Sequence, residues 1–299
     1  MRGNDRAGLL FGLAGFATLS IGDAVVKSMA GTWPGTAIAS LRYVFGAIGL
    51  ATILLAREGR SGFAFPHLRF QLLRGFAVSM SAIAFFSALF LIPLAEATSI
   101  GFTAPMITAL LAPLVLGEPM RRETWIASII AFFGVLIVLR PNFAAIGWPA
   151  LLPLLSATGM ALMMIGNRKV AGHASALAMQ VSIAVLAVPF LLTAMAIGHL
   201  SGLPALHVGW PQWSVVARCA FIAVSASVAH GLIYMATTRA GAATIAPTTY
   251  VQLLVATLLG WAVFGEAPDA MALLGAAIII GAGLYLWRSG PVRQPAIGE

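Results

Sequence analysis

The chain has 299 residues, of which 60% are hydrophobic and 9% are charged, and its mean hydropathy is +0.97. A soluble domain carries about 25% charged residues, so this composition excludes an ordinary soluble enzyme, a disordered chain and a fibrous protein. The net charge of +8 comes from 17 Lys and Arg against 9 Asp and Glu. Basic loops of a polytopic membrane protein account for that charge without nucleic acid.

Charged and Gly/Pro-rich segments divide the chain into apolar runs of the length that a membrane-crossing helix needs, roughly 20 residues. None of the runs alternates as the strands of a transmembrane barrel do, so we predict an all-α membrane protein. The ten predicted spans are 9–28, 34–56, 70–92, 96–117, 123–140, 148–168, 174–197, 212–237, 241–264 and 269–287.

The first apolar run follows Arg2 and Arg6, as the core of a signal peptide would. The run is long, lacks a small-x-small cleavage site and carries Asp23 and Lys27 near its end. We therefore predict a retained first span rather than a cleaved leader.

The basic residues predict the orientation, because Lys and Arg are enriched in cytoplasmic loops. With the N-terminus in the cytoplasm, most of them fall on the cytoplasmic side. The exceptions are Lys27, Arg140 and Arg218 at outer ends and Arg42 within the second span. This bias predicts that both termini are cytoplasmic.

An internal repeat relates residues 93–139 to residues 241–287 without a gap. The match is weak residue by residue, but both segments place a Gly-Glu pair at the same inter-helix turn, at 117–118 and 265–266. The alternative is a chance likeness between two apolar stretches.

The repeat predicts two five-helix halves, 1–143 and 144–299. Because five is an odd number, the second half must enter the membrane inverted relative to the first. Inverted repeats are a transporter architecture in which the substrate site lies at the interface of the repeats.

Segment 93–119, PLAEATSIGFTAPMITALLAPLVLGEP, and its counterpart 239–268 resemble the drug/metabolite transporter superfamily in its ten-helix EamA-type branch. Arg42 and Arg74 are also similar to that family, and the resemblance covers nearly the whole chain. Its overall look is closest to bacterial aromatic amino acid exporters. Other members of the superfamily carry other metabolites, nucleotide sugars or drug cations, and these substrates stay open as alternatives.

The resemblance implies a secondary transporter of the bacterial inner membrane that exports a small metabolite, in the leading case an amino acid, by alternating access. It also implies a central cavity lined by spans 1–4 and 6–9, with spans 5 and 10 packed outside it. The expected partners are the small-molecule substrate and the lipid bilayer. We expect a monomer, with no cofactor and no nucleic acid.

Motifs of enzymes are missing from the sequence. It contains no GxxxxGK[ST] loop, HExxH, CxxC or GxSxG, and Cys219 is its one cysteine. An intramembrane lipid-processing enzyme is the alternative from another class, but it needs clusters of carboxylates, His or Arg that these loops lack. A purely structural subunit fits poorly with an inverted repeat.

Polar side chains at membrane depth are costly and mark functional sites, and the ninth span is the richest in them. Pro247 removes a backbone donor and loosens the helix there. We predict that Thr248, Thr249, Tyr250 and Gln252 line the cavity. The alternative is a proline kink whose Thr hydroxyls bind its own backbone.

The eighth span places His230 and Tyr234 one turn apart on one helix face. His230 could bind a substrate or take up a proton, or it could be a buried structural histidine. Further candidates for the cavity wall are Ser79 and Phe86 in the third span and Ser99 and Phe102 in the fourth, where Pro105 is a possible hinge.

Charged residues near the ends of spans are candidates for coupling or gating. Asp23 and Lys27 stand four residues apart and are predicted to pair on one helix face. Arg42 could reach outward, cap carbonyls, pair with Asp23 or hold a substrate carboxylate. Glu118 and Glu266 are predicted to be turn residues that bind backbone donors and nearby cations.

Small residues in the fifth and tenth spans predict close helix packing. The tenth span contains Gly275, Gly281 and Gly283. A bulky residue in place of Gly281 is expected to lower stability.

Overall fold

The computed structural model describes residues 3–116, 122–170, 172–240, 245–267 and 269–288, nearly all of them helical. Its α-helices are α1 (Gly3–Lys27), α2 (Gly35–Glu58), α3 (Leu68–Leu89), α4 (Leu94–Gly101), α5 (Ala104–Leu116), α6 (Arg122–Ile146), α7 (Leu152–Val170), α8 (Ala176–Leu200), α9 (Trp213–Ala240), α10 (Val251–Phe264) and α11 (Ala270–Arg288). No described residue lies in a β-strand, so the predicted all-α class is confirmed.

Within the described residues, seven segments are long and apolar enough to cross a membrane, and three shorter apolar helices accompany them. The seven are Arg6–Lys27, Gly35–Phe63, Leu68–Leu89, Leu94–Val115, Trp148–Val170, Ala176–Leu200 and Trp213–Ala236. The shorter helices are Trp125–Val138, Thr248–Phe264 and Ala270–Tyr285. Together they match the ten predicted spans one for one, which confirms a ten-helix membrane fold.

The fourth and ninth spans are broken helices. α4 ends at Gly101 and α5 begins at Ala104. Pro105 explains this break, because its ring would clash with the carbonyl of Gly101 in a continuous helix, whereas the first turn of α5 tolerates it. The ninth span opens with a 3₁₀ turn, Ala246–Tyr250, which contains Pro247 near its start, and continues as α10. Both hinge candidates thus lie where the backbone leaves the α-helical path.

Helices of the two predicted halves pack in pairs. α1 packs against α9, α2 against α8, α3 against α7, α4 against α10 and α6 against α11. In span numbers these pairs are 1 with 8, 2 with 7, 3 with 6, 4 with 9 and 5 with 10. If each span is replaced by its counterpart in the other half, five places along the chain, the same five pairs result. A two-fold axis that relates the two halves would produce this pairing.

The backbones of α6 and α11 approach closely through two glycines. A Cβ atom on Gly134 would lie 2.9 Å from the Gly275 carbonyl oxygen, and one on Gly275 would lie 2.7 Å from the Gly134 carbonyl oxygen. Gly283 packs against the Tyr250 side chain. A Cβ on Gly281, in contrast, would have no neighbour within 4 Å. The expectation that Gly281 is a packing glycine is therefore wrong, because this residue faces outward while Gly275 faces α6.

Gly275→Leu is expected to destabilise the protein, whereas Gly281→Leu is not. The obstacle at Gly275 is the backbone of α6, which cannot move aside as a side chain can, so a cost of about 1–3 kcal/mol or more is expected. The thermal unfolding midpoints of the two detergent-solubilised variants measure the difference. Equal midpoints would contradict the close approach of α6 and α11.

The largest cluster of buried apolar side chains closes the end of the bundle opposite the N-terminus. It draws on the ends of α1 and α3, the starts of α2, α4 and α9, and residues of α8. We call this cluster the plug and define it by Val26, Met29, Ile38, Phe86, Leu89, Ile92, Leu94, Leu191, Val215 and Cys219. The sequence-predicted orientation places the plug on the outer side of the membrane.

Candidate functional site

Asp23 lies in α1 next to the plug, and α10 holds it in place. The Gln252 side-chain amide donates a hydrogen bond to the Asp23 carboxylate, with an Nε2–Oδ2 distance of 3.1 Å. Ser20, one turn earlier, donates to the backbone carbonyl of Gln252 at 3.0 Å. Both the side chain and the backbone of Gln252 therefore tie α10 to α1. Asp23 is partly exposed, although its neighbours Gly22 and Ala24 are buried.

Arg42 in α2 faces the same central region. It lies close enough to Asp23 and His230 to act on both electrostatically. Its guanidinium carbon lies 4.9 Å from the ring centre of Tyr43 and 5.5 Å from that of Phe86, so aromatic faces stabilise the cation. Among the described residues, no carboxylate oxygen comes within 4.0 Å of this guanidinium. Arg42 can therefore still receive a carboxylate.

His230 presents one ring nitrogen to the central region. Its Nδ1 lies 2.6 Å from the backbone carbonyl oxygen of Ala226. A carbonyl oxygen only accepts hydrogen bonds, so Nδ1 carries the proton and Nε2 of the neutral ring keeps a lone pair. The backbone contact thus satisfies Nδ1, as in a structural histidine, and no described residue forms a hydrogen bond with Nε2.

The exposed faces of α9 point in two directions. Phe221 and Val228 form an apolar exposed side, and His230 is exposed on the opposite side of a helix with 3.6 residues per turn. Tyr234, one turn closer to the N-terminal end of the bundle, is 56% exposed. Phe221 and Val228 thus lie on one exposed side of α9, and His230 and Tyr234 lie on the other.

The remaining candidates of the ninth span pack against other helices. Thr248 is buried, its hydroxyl donates to the Ile245 carbonyl at 2.7 Å, and it packs against Gly12. The Tyr250 hydroxyl donates to the Ile280 carbonyl at 3.4 Å, and its ring contacts Phe102 edge-on at a centroid distance of 5.4 Å. Thr249 is partly buried. Of these four polar residues, the structure brings only Gln252 to Asp23.

Ser79 and Ser99 bind the backbone rather than the central region. Ser79 Oγ lies 2.7 Å from the Gly75 carbonyl oxygen and 3.1 Å from that of Ala187, which joins α3 to α8. Ser99 Oγ donates to the Ala95 carbonyl at 2.7 Å. Phe86 is buried in the plug beneath Arg42. The central group is thus Asp23, Arg42, His230 and Gln252, and this name is used below.

Two cavities adjoin the central group without containing it. A small one between α4, α10 and α11 is lined by Ser99, Thr257 and Glu266, among others. A cleft of about 570 Å³ opens between α2 and α8 at the plug end and is lined by Trp33, Ser40 and other residues. Neither includes Asp23, Arg42 or His230.

Lys27 pairs with Glu266 and not with Asp23, so the predicted helical pair is wrong. The distance from Lys27 Nζ to Glu266 Oε1 is 2.7 Å. The same ammonium donates to the backbone carbonyls of Leu89 at 3.0 Å and Ile92 at 2.7 Å. These carbonyls lie where α3 ends and lack helical partners, and Gln252 already binds Asp23.

Glu266 binds a backbone donor and a cation, as the sequence predicts. Its Oε2 accepts the backbone N–H of Leu94 at 3.0 Å, and its Oε1 binds Lys27. Glu118, its counterpart in the repeat, lies outside the described residues.

A second polar cluster, which the sequence alone did not reveal, surrounds Arg74. This residue is 2% exposed. Its Nε donates to Asn167 Oδ1 at 2.6 Å, its Nη2 to the Met179 carbonyl at 3.2 Å, and its Nη1 to Ser182 Oγ at 3.2 Å and to Gln71 Oε1. The cluster joins α3, α7 and α8. The sequence does show polar residues in otherwise apolar spans, which is a signal of a polar cluster. It does not show that these residues contact one another, because they lie on different helices far apart in the chain.

The described residues contain no group of three or more His, Cys, Asp or Glu side chains that could hold a metal ion. The polar side chains of the central group are instead one carboxylate, one guanidinium, one imidazole and one amide, each on a different helix.

Residues 6–140 and 147–288 each match the model of the EamA-like transporter family. The chain belongs to the EamA-like transporter family. The resemblance to the drug/metabolite transporter superfamily is thereby confirmed, and the protein is a multi-pass membrane transporter and not an enzyme.

Several curated transporters are similar to this one. A riboflavin transporter of Rhizobium johnstonii is 29% identical over 75% of this chain and 72% of its own length. An S-adenosylmethionine uptake transporter of Rickettsia prowazekii is 25% identical over 93% of this chain and 92% of its own. A pseudopaline exporter of Pseudomonas aeruginosa is 24% identical over 95% of this chain and 97% of its own.

A solved crystal structure shares the fold of this transporter. It superposes with a TM-score of 0.56, covers 94% of this chain and 96% of its own, and is 20% identical in sequence.

Proposed function

We propose that this transporter exports a small zwitterion, an amino acid or a metabolite that contains one, across the bacterial inner membrane. Both termini would lie in the cytoplasm, and the halves 1–143 and 144–299 would alternate around the central group. The observation that carries the substrate class is the pair of opposite charges, Asp23 and Arg42, which face one region without binding each other within 4.0 Å.

An amino acid matches this pair because its ammonium and carboxylate stand on one carbon atom. The planar guanidinium of Arg42 suits a carboxylate in a two-bond geometry. Asp23 suits the ammonium, and the Gln252 amide, which uses its nitrogen on Asp23, keeps its oxygen for a further N–H donor. His230 Nε2 is available for a polar substrate side chain.

Alternating access accounts for the asymmetry of the bundle. The plug closes the end opposite the N-terminus, and the exposed side of His230 and Tyr234 opens toward the other end. This is the arrangement expected of a state that is open to the cytoplasm. A transporter needs a second state within a few kcal/mol of the first, and the breaks at Pro105 and Pro247 are places where helices can bend.

The similar transporters support a small organic substrate for this chain, but they differ in which solute they carry. The substrate class proposed here therefore rests on the residues of the central group. Their names specify riboflavin, S-adenosylmethionine uptake and pseudopaline export, so the fold serves different solutes in both directions. A transporter of a neutral aromatic solute would not need Asp23 opposite Arg42. These charges favour the zwitterion over that alternative.

Purified transporter in proteoliposomes tests the proposal. A labelled amino acid mixture is expected to enter above empty liposomes, and unlabelled amino acids are expected to compete. Their methyl esters, which lack the carboxylate, and their N-acetyl derivatives, which lack the ammonium, are expected to compete poorly. Riboflavin and S-adenosylmethionine serve as comparison solutes, and an imposed pH gradient tests proton coupling. Equal competition by esters, N-acetyl derivatives and free amino acids would contradict the proposal.

A further inference from the structure

The Lys27–Glu266 pair belongs to a fully occupied polar network at the plug end. The three N–H groups of the ammonium have three acceptors, namely Glu266 Oε1 and the carbonyls of Leu89 and Ile92. The second carboxylate oxygen receives the N–H of Leu94. The cation thus lies at the C-terminal end of α3 and the anion at the N-terminal end of α4. The helix dipole stabilises a positive charge at the first of these positions and a negative charge at the second.

The network joins parts of the chain that are far apart in sequence. Lys27 ends α1, Leu89 and Ile92 flank the turn between α3 and α4, and Glu266 follows α10. The network therefore connects the first, third and fourth spans to the ninth, across the interface of the two predicted halves. Leu89, Ile92 and Leu94 are themselves buried in the plug, and the Phe264 ring centre lies 5.7 Å from Lys27 Nζ.

The network joins α1, the start of α4 and the end of α10, so opening the plug end between these elements requires the network to break. Separation breaks the pair between Lys27 and Glu266, whose side chains are 10% and 21% exposed, and each charge then needs water in place of its partner. The network therefore favours the closed plug over the open one.

We propose that Lys27 and Glu266 form a latch that holds the plug end closed in this state and releases in each transport cycle. The proposal rests on transport by alternating access, but it is independent of the substrate class. Removing one latch charge weakens the closed plug and shifts the population toward the state open at the plug end.

The chain carries its own reporter of this opening. Cys219 is the only cysteine in the sequence, and it lies in the plug with 0% of its surface exposed. Because Cys219 is buried among plug side chains, we expect a water-borne thiol reagent to reach it when the plug end opens. No engineered cysteine is needed, and Cys219→Ala supplies the background.

The test measures the rate at which a membrane-impermeant maleimide labels Cys219 in the full-length transporter in proteoliposomes, without substrate. Glu266→Gln and Lys27→Met are each expected to raise the rate about tenfold. Asp269→Asn is the matched control, because it also removes one negative charge close to Glu266. Asp269 lies outside the network and caps the start of α11. Its labelling rate is expected to equal that of the unmodified protein.

Unchanged labelling in both latch variants, or an equal rise in Asp269→Asn, would overturn the proposal. Thermal unfolding identifies any variant that fails to fold. Glu266→Asp then replaces Glu266→Gln, because it keeps the charge but shortens the reach to Lys27, and its labelling rate is judged by the same criteria. Since no solute is present, a failure to find amino acid transport leaves this result unaffected.

Discussion

Replacing Arg74 with methionine is expected to destabilise the folded transporter by about 2–4 kcal/mol. Methionine fills much of the same space, but Asn167, Gln71 and the Met179 carbonyl lose the donor that they now share. A buried acceptor without a donor costs about 1–3 kcal/mol. Removing a buried cation regains part of its desolvation free energy, so the net loss is smaller than the sum over the acceptors.

Two companion variants isolate the guanidinium. Arg69→Met removes the same charge from an exposed position of α3 and is expected to leave the unfolding midpoint unchanged. Arg74→Lys keeps the charge, but an ammonium on a flexible stem cannot reproduce the planar fork that reaches α7 and α8 together. Its midpoint is expected to fall between those of the other two. If Arg74→Met unfolds at the same temperature as Arg69→Met, the cluster does not hold α3, α7 and α8 together.

The number and class of the helices could be predicted because they depend on local composition. Apolar runs of membrane-crossing length leave few alternatives, and the loops are rich enough in charge and Gly/Pro to separate them. The break at Pro105 was equally accessible, because the missing N–H and the ring clash are properties of one residue. These features need no knowledge of which helices touch.

Partners could not be predicted, because they depend on which helices meet. Spacing alone paired Lys27 with Asp23, yet the ends of α3 and α10 offer Lys27 two carbonyls and a carboxylate. Similarly, a stripe of small residues does not show which face of the helix is packed. Gly275 meets the backbone of α6 and Gly281 meets open space. Polar character in the ninth span did not separate Gln252, which reaches Asp23, from Tyr250, which reaches α11.

Removing either charge of the central group is expected to lower amino acid uptake about a hundredfold in proteoliposomes. Arg42→Gln deprives the carboxylate of its cation, and Asp23→Asn deprives the ammonium of its anion. In each case the other protein charge remains in a region of low dielectric without a complete partner, and such losses cost about 2–5 kcal/mol. Arg218→Gln is the control, since Arg218 is an exposed cation at the plug end that binds only Ser28 among the described residues.

The choice of solute distinguishes binding from a structural role. Arg42→Gln is expected to discriminate less against amino acid esters, which carry only the ammonium, and Asp23→Asn to discriminate less against N-acetyl amino acids, which carry only the carboxylate. A purely structural loss would lower the uptake of all solutes by the same factor. The double variant is expected to lose less than the product of the two single losses, because no unpaired protein charge remains. If the two variants change the preference between esters and N-acetyl derivatives in opposite directions, each substrate charge is assigned to one residue. If both variants lower the uptake of all solutes by the same factor, neither residue binds the substrate.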